Sequence, residues 1–325
     1  MLCVALVGTF PASLAEPVRR HLTTPCEIIV ASEVDILDRL PEIDVLVTMG
    51  LTPEMGLVGT RLKLVQVPGA GIDRIDRSAL PPAALLASTY GHENGIAEYV
   101  IGAMLALTRE FSRLDAALRQ GNWQSQWAVG TAPPPVWPKL SGRTVGILGY
   151  GQIGQNVARR ARAFDMQVLA IRRDVSRSIG DDLALLGGPD ILETVLERSD
   201  YVVVSMPSSA ETVGWIGEAQ LRRMKSSAYL INVGRADIVD EDALYDALVR
   251  RSIAGAALDV WYRYPREPGP ADPATRPFHE LPNVLMTPHI SGWTDGMLDA
   301  RAKLIAENIR RVASGETPLN LIAEN

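Results

Sequence analysis

Gly149, Gly151 and Gly154 are spaced as G-x-G-x-x-G in the stretch TVGILGYGQIGQNVARRARAF. That spacing suits one task, the holding of a pyrophosphate. The first glycine permits a tight turn, the second lets the backbone approach the phosphates, and the third lets a helix pack closely on a strand. Gln152 and Ile153 open that helix, whose unsatisfied N–H groups and positive dipole end attract an anion. TVGILGYG reads as a strand, GQNVARRARAF as a helix and MQVLAIRR as a second strand. In that context the glycines form a dinucleotide fingerprint rather than a chance cluster. An NAD site places an acid at the end of the second strand, on the ribose hydroxyls. Here VLAIRRD puts Arg172 at that point, with Arg173 beside it and Asp174 two residues beyond Arg172. A guanidinium can bind a 2′-phosphate and stack on adenine. NADP is therefore the expected cofactor, with NAD as the alternative.

The elements that must position these residues alternate along the chain. CVALVG, CEIIVA, DVLVTMG and LKLVQVPGAG are short apolar runs closed by glycine or polar turns, and Pro11 to Leu22 has helical character. A long helical pattern runs from Asn94 to Gly121, followed by the Pro-rich connector VGTAPPPVWPKLSG. A second alternating block then carries the glycine turn, and a last helix spans about Thr294 to Ser314. Strands this continuously apolar are buried on both faces, as in parallel sheets with crossover helices. A length of 325 residues allows two domains. The net charge of −6 argues against nucleic acid as a partner. No apolar run reaches membrane-spanning length, and MLCVALVGTF reads as a first strand rather than a signal peptide. Two cysteines exclude a disulfide framework and fit a cytoplasmic setting, and four scattered histidines suggest no metal site.

Several further segments resemble the D-isomer-specific 2-hydroxyacid dehydrogenase family, in order and over nearly the whole chain. They are VPGAGIDRID, IAEYVIGAMLALTR, SMPSSAETVGWI, INVGRADIVDEDAL and TPHISGWT. The resemblance implies an α/β protein with two Rossmann-like domains and parallel sheets. The substrate domain would be discontinuous, 1–98 with 290–325, and the dinucleotide-binding domain would be inserted at 99–289. It implies a site in the cleft, hydride exchange between the nicotinamide and a small anionic 2-oxo or 2-hydroxy acid, and a homodimer built through the region of the long helix. Met206, Pro207, Thr212, Val233 and Gly234 match cofactor-contacting positions. Asp259 matches an aspartate near the nicotinamide carboxamide. His289 matches the general acid and base, and Arg235 the arginine that grips the substrate carboxylate. Gly69, Ala70 and Gly71 match the loop that offers N–H groups to the same carboxylate.

Three positions depart from the family pattern. Ala236 replaces the glycine after the arginine, which leaves the local turn open. His92 stands where many relatives have asparagine, either facing the substrate or facing solvent. Tyr264 stands where the family has the glutamate that pairs with the histidine and raises its pKa. A phenol is neutral near pH 7, so it could orient the imidazole without supplying charge, and the His289 pKa should lie below that of glutamate-bearing relatives. Glu267, three residues on, is the alternative partner. This departure also leaves open oxidation of another small anion, such as formate, phosphite or a phosphonate, and a nucleotide-sensing protein with reduced catalysis.

Overall fold

The structure is a computed structural model that describes residues 1–130, 134–177, 182–265 and 267–322. Residues 131–133, inside the Pro-rich connector, lie outside the described residues. The chain separates into two compact units: Met1–His92 with Trp293–Asn325, and Glu93–Gly292. The seams therefore fall at 92/93 and 292/293, not at 98/99 and 289/290. The whole helix Glu93–Arg109 packs on the helix Gln152–Ala163 of the second unit, which is why the boundary precedes it.

The first unit holds β1 (Leu2–Val7), β2 (Cys26–Ala31), β3 (Val45–Thr48), β4 (Leu64–Gln66) and β5 (Leu85–Ala87). They form one sheet in the order β2-β1-β3-β4-β5, parallel throughout. Val4 to Val7 and Val45 to Val47 are fully buried, as apolar strands covered on both faces must be. The expected helix over Pro11 to Leu22 is two short helices, Thr9–Ser13 and Ala15–His21, meeting at Leu14. The last helix, Met297–Ala313, packs on the second of these.

Asp44 is a buried charge in this unit. Burial alone would raise its pKa, but the Cys3 backbone N–H, Lys63 and Arg61 outweigh that and hold the carboxyl below its usual range. The Cys3 N–H donates to Oδ2 at 2.9 Å, and Arg61 and Lys63 lie at 3.1 and 3.2 Å. Such a depressed carboxyl contributes stability above its unfolded pKa, and the contribution is lost as pH falls through the folded value. Asp44→Ala strands the Cys3 N–H and should cost about 1–3 kcal/mol. Denaturant melts at pH 7 would check this, and an unchanged midpoint would count against it.

The second unit holds β6 (Thr144–Leu148), β7 (Gln167–Ile171), β8 (Leu185–Gly187), β9 (Tyr201–Val204), β10 (Tyr229–Asn232), β11 (Gly255–Leu258) and β12 (Val284–Met286). The sheet order is β12-β11-β10-β9-β6-β7-β8, again parallel, so the chain reverses direction across the sheet between β6 and β9. That reversal opens a crevice at the strands' carboxyl ends. The fold class is thus α/β with two Rossmann-like parallel sheets. The long helical pattern from Asn94 is broken in two: Glu110 takes a left-handed conformation (φ 52°), ending Glu93–Arg109 and starting Phe111–Arg119.

Candidate active site

The loops after β6 and β9 flank the reversal point and frame a cavity of about 530 Å³. Gly149 has φ 103°. A Cβ there would sit 2.8 Å from the Met206 backbone nitrogen, and one at Gly154 would sit 2.5 Å from the Gly149 carbonyl oxygen. These two glycines are required by close packing of turn, strand and helix. At Gly151 a Cβ would meet nothing within 4 Å, so that position faces open space. A cradle with tight walls and an open floor at the helix N-terminus fits a dinucleotide pyrophosphate. Gly149, Gly151, Arg172, Arg173, Met206, Pro207 and Thr212 line the cavity. Gln152, Ile153, Gly154, Val233, Gly234 and Asp259 are not among its walls. Gly234 instead approaches the Met206 backbone, where a Cβ would be 2.7 Å from its carbonyl oxygen, and Val233 is buried in the core.

Trp215 and Pro189 also line the cavity, and sequence reasoning passed over both. Trp215 sits inside the segment matched to the family, so its aromatic character was the available signal. Thr212 has structural work as well: its hydroxyl donates to the Pro207 carbonyl at 2.9 Å and accepts from the Ser209 N–H at 2.8 Å. Asp174, beside the two arginines, accepts from the Ser176 N–H at 3.0 Å and from its hydroxyl at 2.5 Å.

Arg235 leaves β10 on a short loop held by Asn232. The Asn232 side chain accepts from the Gly234 N–H at 3.1 Å and donates to the Arg235 carbonyl at 2.9 Å. Arg235 is half-buried, with Nη1 donating to the Gly234 carbonyl at 2.8 Å. Ala236 opens a single 3-10 turn without a positive φ, so no glycine is needed after the arginine.

His289 follows β12 in a left-handed conformation with φ 57°, where most side chains are strained and histidine is among those tolerated. A buried network holds the segment there. Asp259 is fully buried, and its Oδ1 accepts from the Thr287 hydroxyl at 2.7 Å and the Ile290 N–H at 2.9 Å. Its Oδ2 accepts from the Ser291 N–H at 2.9 Å. Because the Thr287 proton goes to Asp259, the Tyr99 hydroxyl 2.7 Å away must be the donor to Thr287. Burial pushes the Tyr99 phenol up to about 12, so it stays protonated for that purpose. The Trp261 indole N–H completes the support by donating to the Thr287 carbonyl at 2.8 Å. Tyr99, Trp261 and Thr287 were not legible as site residues, since each reads in sequence as part of an apolar helix or strand end.

The Tyr264 hydroxyl lies 2.7 Å from His289 Nδ1. Glu267 is exposed further along the same loop. The first unit carries the other expected substrate residues. Gly69 is buried, and Ala70 and Gly71 are half-buried, in the bend after β4, where the Gly69 carbonyl accepts from the Thr89 N–H at 2.9 Å. His92 is buried.

A parallel sheet reversing at a glycine turn, with a cavity there and a histidine clamped after the edge strand β12 of the same sheet, fits a nicotinamide-dependent oxidoreductase. Comparison with known proteins makes this specific. Residues 101–291 match the model of the D-isomer specific 2-hydroxyacid dehydrogenase, NAD binding domain. A glyoxylate reductase of Thermofilum pendens is 32% identical over 95% of this chain and 92% of its own. A D-3-phosphoglycerate dehydrogenase of Methanocaldococcus jannaschii is 31% identical over 89% of this chain, which spans only 53% of that protein. Among solved structures, an NADPH-dependent glyoxylate/hydroxypyruvate reductase from Sinorhizobium meliloti, in complex with NADP and malonate, superposes with a TM-score of 0.80. It is 26% identical and covers 99% of this chain and 97% of its own. The chain belongs to the D-isomer-specific 2-hydroxyacid dehydrogenase family. It is an NAD(P)-dependent enzyme acting on the CH–OH group of 2-hydroxy acids.

Proposed function

We propose that the protein is an NADPH-preferring reductase of small 2-oxoacids, with His289 as the acid and base and Arg235 as the carboxylate anchor. The cofactor preference is supported by Arg172 and Arg173, which line the cavity beside the glycine turn; Asp174 lines it too, with its carboxylate accepting hydrogen bonds from Ser176 in its own turn. When bound, the reduced nicotinamide supplies hydride to the carbonyl carbon. Arg235 presents paired donors to the substrate carboxylate and so fixes the face that is attacked. With Nδ1 of His289 engaged by Tyr264, its Nε2 exchanges the proton with the substrate oxygen.

Arg172→Asp should lower the NADP/NAD ratio of kcat/KM by about 10- to 100-fold, the worth of one or two charge-assisted contacts to a phosphate. Parallel assays with glyoxylate and hydroxypyruvate, using NADPH and NADH, would measure it. An unchanged ratio would remove the 2′-phosphate role from Arg172.

A homodimer fits the apolar surface after the long helix. The helix Phe111–Arg119 buries none of its residues, and Phe111, Leu118, Trp123 and Trp127 are exposed. Patches of this kind are commonly covered by a partner, and a second copy is the partner proposed. Sedimentation should give twice the chain mass, and a monomer at micromolar concentration would contradict it. No helix among the described residues is long and apolar enough to cross a membrane, and Cys3 and Cys26 are both free thiols. A cytoplasmic location is the setting we propose.

A further inference from the structure

Tyr264 stands where a charged carboxylate would ordinarily hold the histidine as imidazolium, and its contacts suggest another source for the proton. We propose that Tyr264 is the proton donor behind His289, so that carbonyl reduction draws its proton from a phenol through a neutral imidazole. This rests on the reading of the enzyme as a 2-oxoacid reductase.

The Tyr264 Oη lies 2.7 Å from Nδ1, with ring centres 5.7 Å apart and planes inclined by 50°. The same oxygen accepts the Trp261 backbone N–H at 3.3 Å. A backbone N–H can only donate, so one lone pair of Oη is used there. Two arrangements remain for the proton between Oη and Nδ1. A phenol ionises near pH 10 and an imidazolium near 6.5, about 3.5 units apart. A neutral imidazole N–H is a far weaker acid than a phenol. The matched pair is therefore phenol donating to bare Nδ1, which places the ring's own proton on Nε2. The titratable groups packed against the His289 segment include Asp259 and Tyr99 besides Tyr264. Asp259 directs its oxygens to Thr287, Ile290 and Ser291, and Tyr99 donates to Thr287. Tyr264 sets its hydroxyl against Nδ1 of the ring itself.

The step balances as follows. Hydride from the reduced nicotinamide forms the new C–H bond at the carbonyl carbon, and the C=O π pair moves to oxygen. That oxygen takes the proton from Nε2. Nδ1 takes the proton from Oη, and the O–H bonding pair stays on Tyr264 as phenolate. The Trp261 N–H is already in place to accept a share of that charge. Tyr264 is 50% exposed, so water returns its proton after each turnover. In the oxidative direction the same relay starts from phenolate, so alcohol oxidation should rise toward the alkaline range of a phenol.

The test has two arms. In cofactor-free protein with ¹⁵N-labelled histidine, NMR should show neutral His289 protonated at Nε2, with an Nδ1 shift that moves in Tyr264→Phe. A proton on Nδ1 in the neutral ring would overturn the relay without any assay of turnover. The second arm follows NADPH-dependent glyoxylate reduction against pH. Above the imidazole pKa measured by NMR, the wild type should hold its kcat within about threefold over two pH units, whereas Tyr264→Phe should lose about tenfold per unit. A wild type that falls as steeply as the variant would also overturn the proposal. Tyr264→Glu, which restores the carboxylate, should raise the imidazole pKa and return the profile to that of an imidazolium acid. Absence of reduction with any 2-oxoacid would instead overturn the substrate reading, and the nitrogen shifts would still decide where the proton sits.

Discussion

His289→Asn should lower kcat for 2-oxoacid reduction by about 10²- to 10⁴-fold, the usual worth of general acid–base catalysis. Asparagine is the informative replacement because His289 has φ 57°. Asparagine tolerates that left-handed conformation, whereas alanine would add backbone strain to the loss of the ring. It also keeps a polar group opposite Tyr264 but offers no nitrogen that titrates near neutrality. The clamp of Asp259, Thr287, Ile290 and Ser291 acts on the backbone and on Thr287, so it survives the change. Stability should therefore stay within about 0.5 kcal/mol of the wild type, and cofactor affinity should not move. Single-turnover reduction with saturating NADPH, alongside thermal melts, separates these effects. A loss under tenfold would show that the proton comes from elsewhere. A lowered melting point would make the effect one of folding rather than chemistry.

The second large effect is expected at Arg235. Arg235→Gln should reduce kcat/KM for glyoxylate by about 10²- to 10⁴-fold, equivalent to about 3–5 kcal/mol of transition-state stabilisation. A carboxylate gripped by a planar fork of donors is held in one orientation, and glutamine can neither balance its charge nor offer that fork. Arg235→Lys should recover only part of the loss, because an ammonium supplies charge without the paired geometry. Substrate discrimination gives the sharper readout. The wild type should prefer glyoxylate over glyoxal, which lacks the carboxylate, and Arg235→Gln should lose most of that preference. If the preference survived in the variant, the carboxylate anchor would have to be assigned to another residue. Asn232 holds both ends of the Arg235 loop, so its own replacement would mimic a weaker form of the same defect.

The two sites differed in how much could be read in advance. The cofactor cradle was legible because its requirements are local. Gly149, Gly151 and Gly154 lie within six residues, and strand, turn and helix are contiguous around them. The break at Glu110 was not legible, because the apolar spacing continues through it and only the left-handed φ of one polar residue divides the helix. β8 was also missed, since Leu185–Gly187 is three residues long and stands out only when paired with β7.

By itself, the sequence determined the α/β class, the dinucleotide turn, the family, and the presence of a tyrosine at position 264 where a glutamate is usual. The class and the turn follow from composition, periodicity and a motif whose parts are neighbours in the chain, whereas the family and the usual glutamate are what the resemblance of the further segments implies. Only the tertiary structure decided what surrounds His289. Tyr99, Asp259, Trp261, Tyr264 and Thr287 come from a helix, two strand ends and a loop up to 188 residues apart, and they meet because β11 and β12 are adjacent in the sheet. Hydrogen bonds form across space at about 3 Å, and their partners carry no mark of that distance in the linear order. The sequence therefore posed the choice between Tyr264 and Glu267, and packing of the loop after β11 set the phenol 2.7 Å from the imidazole.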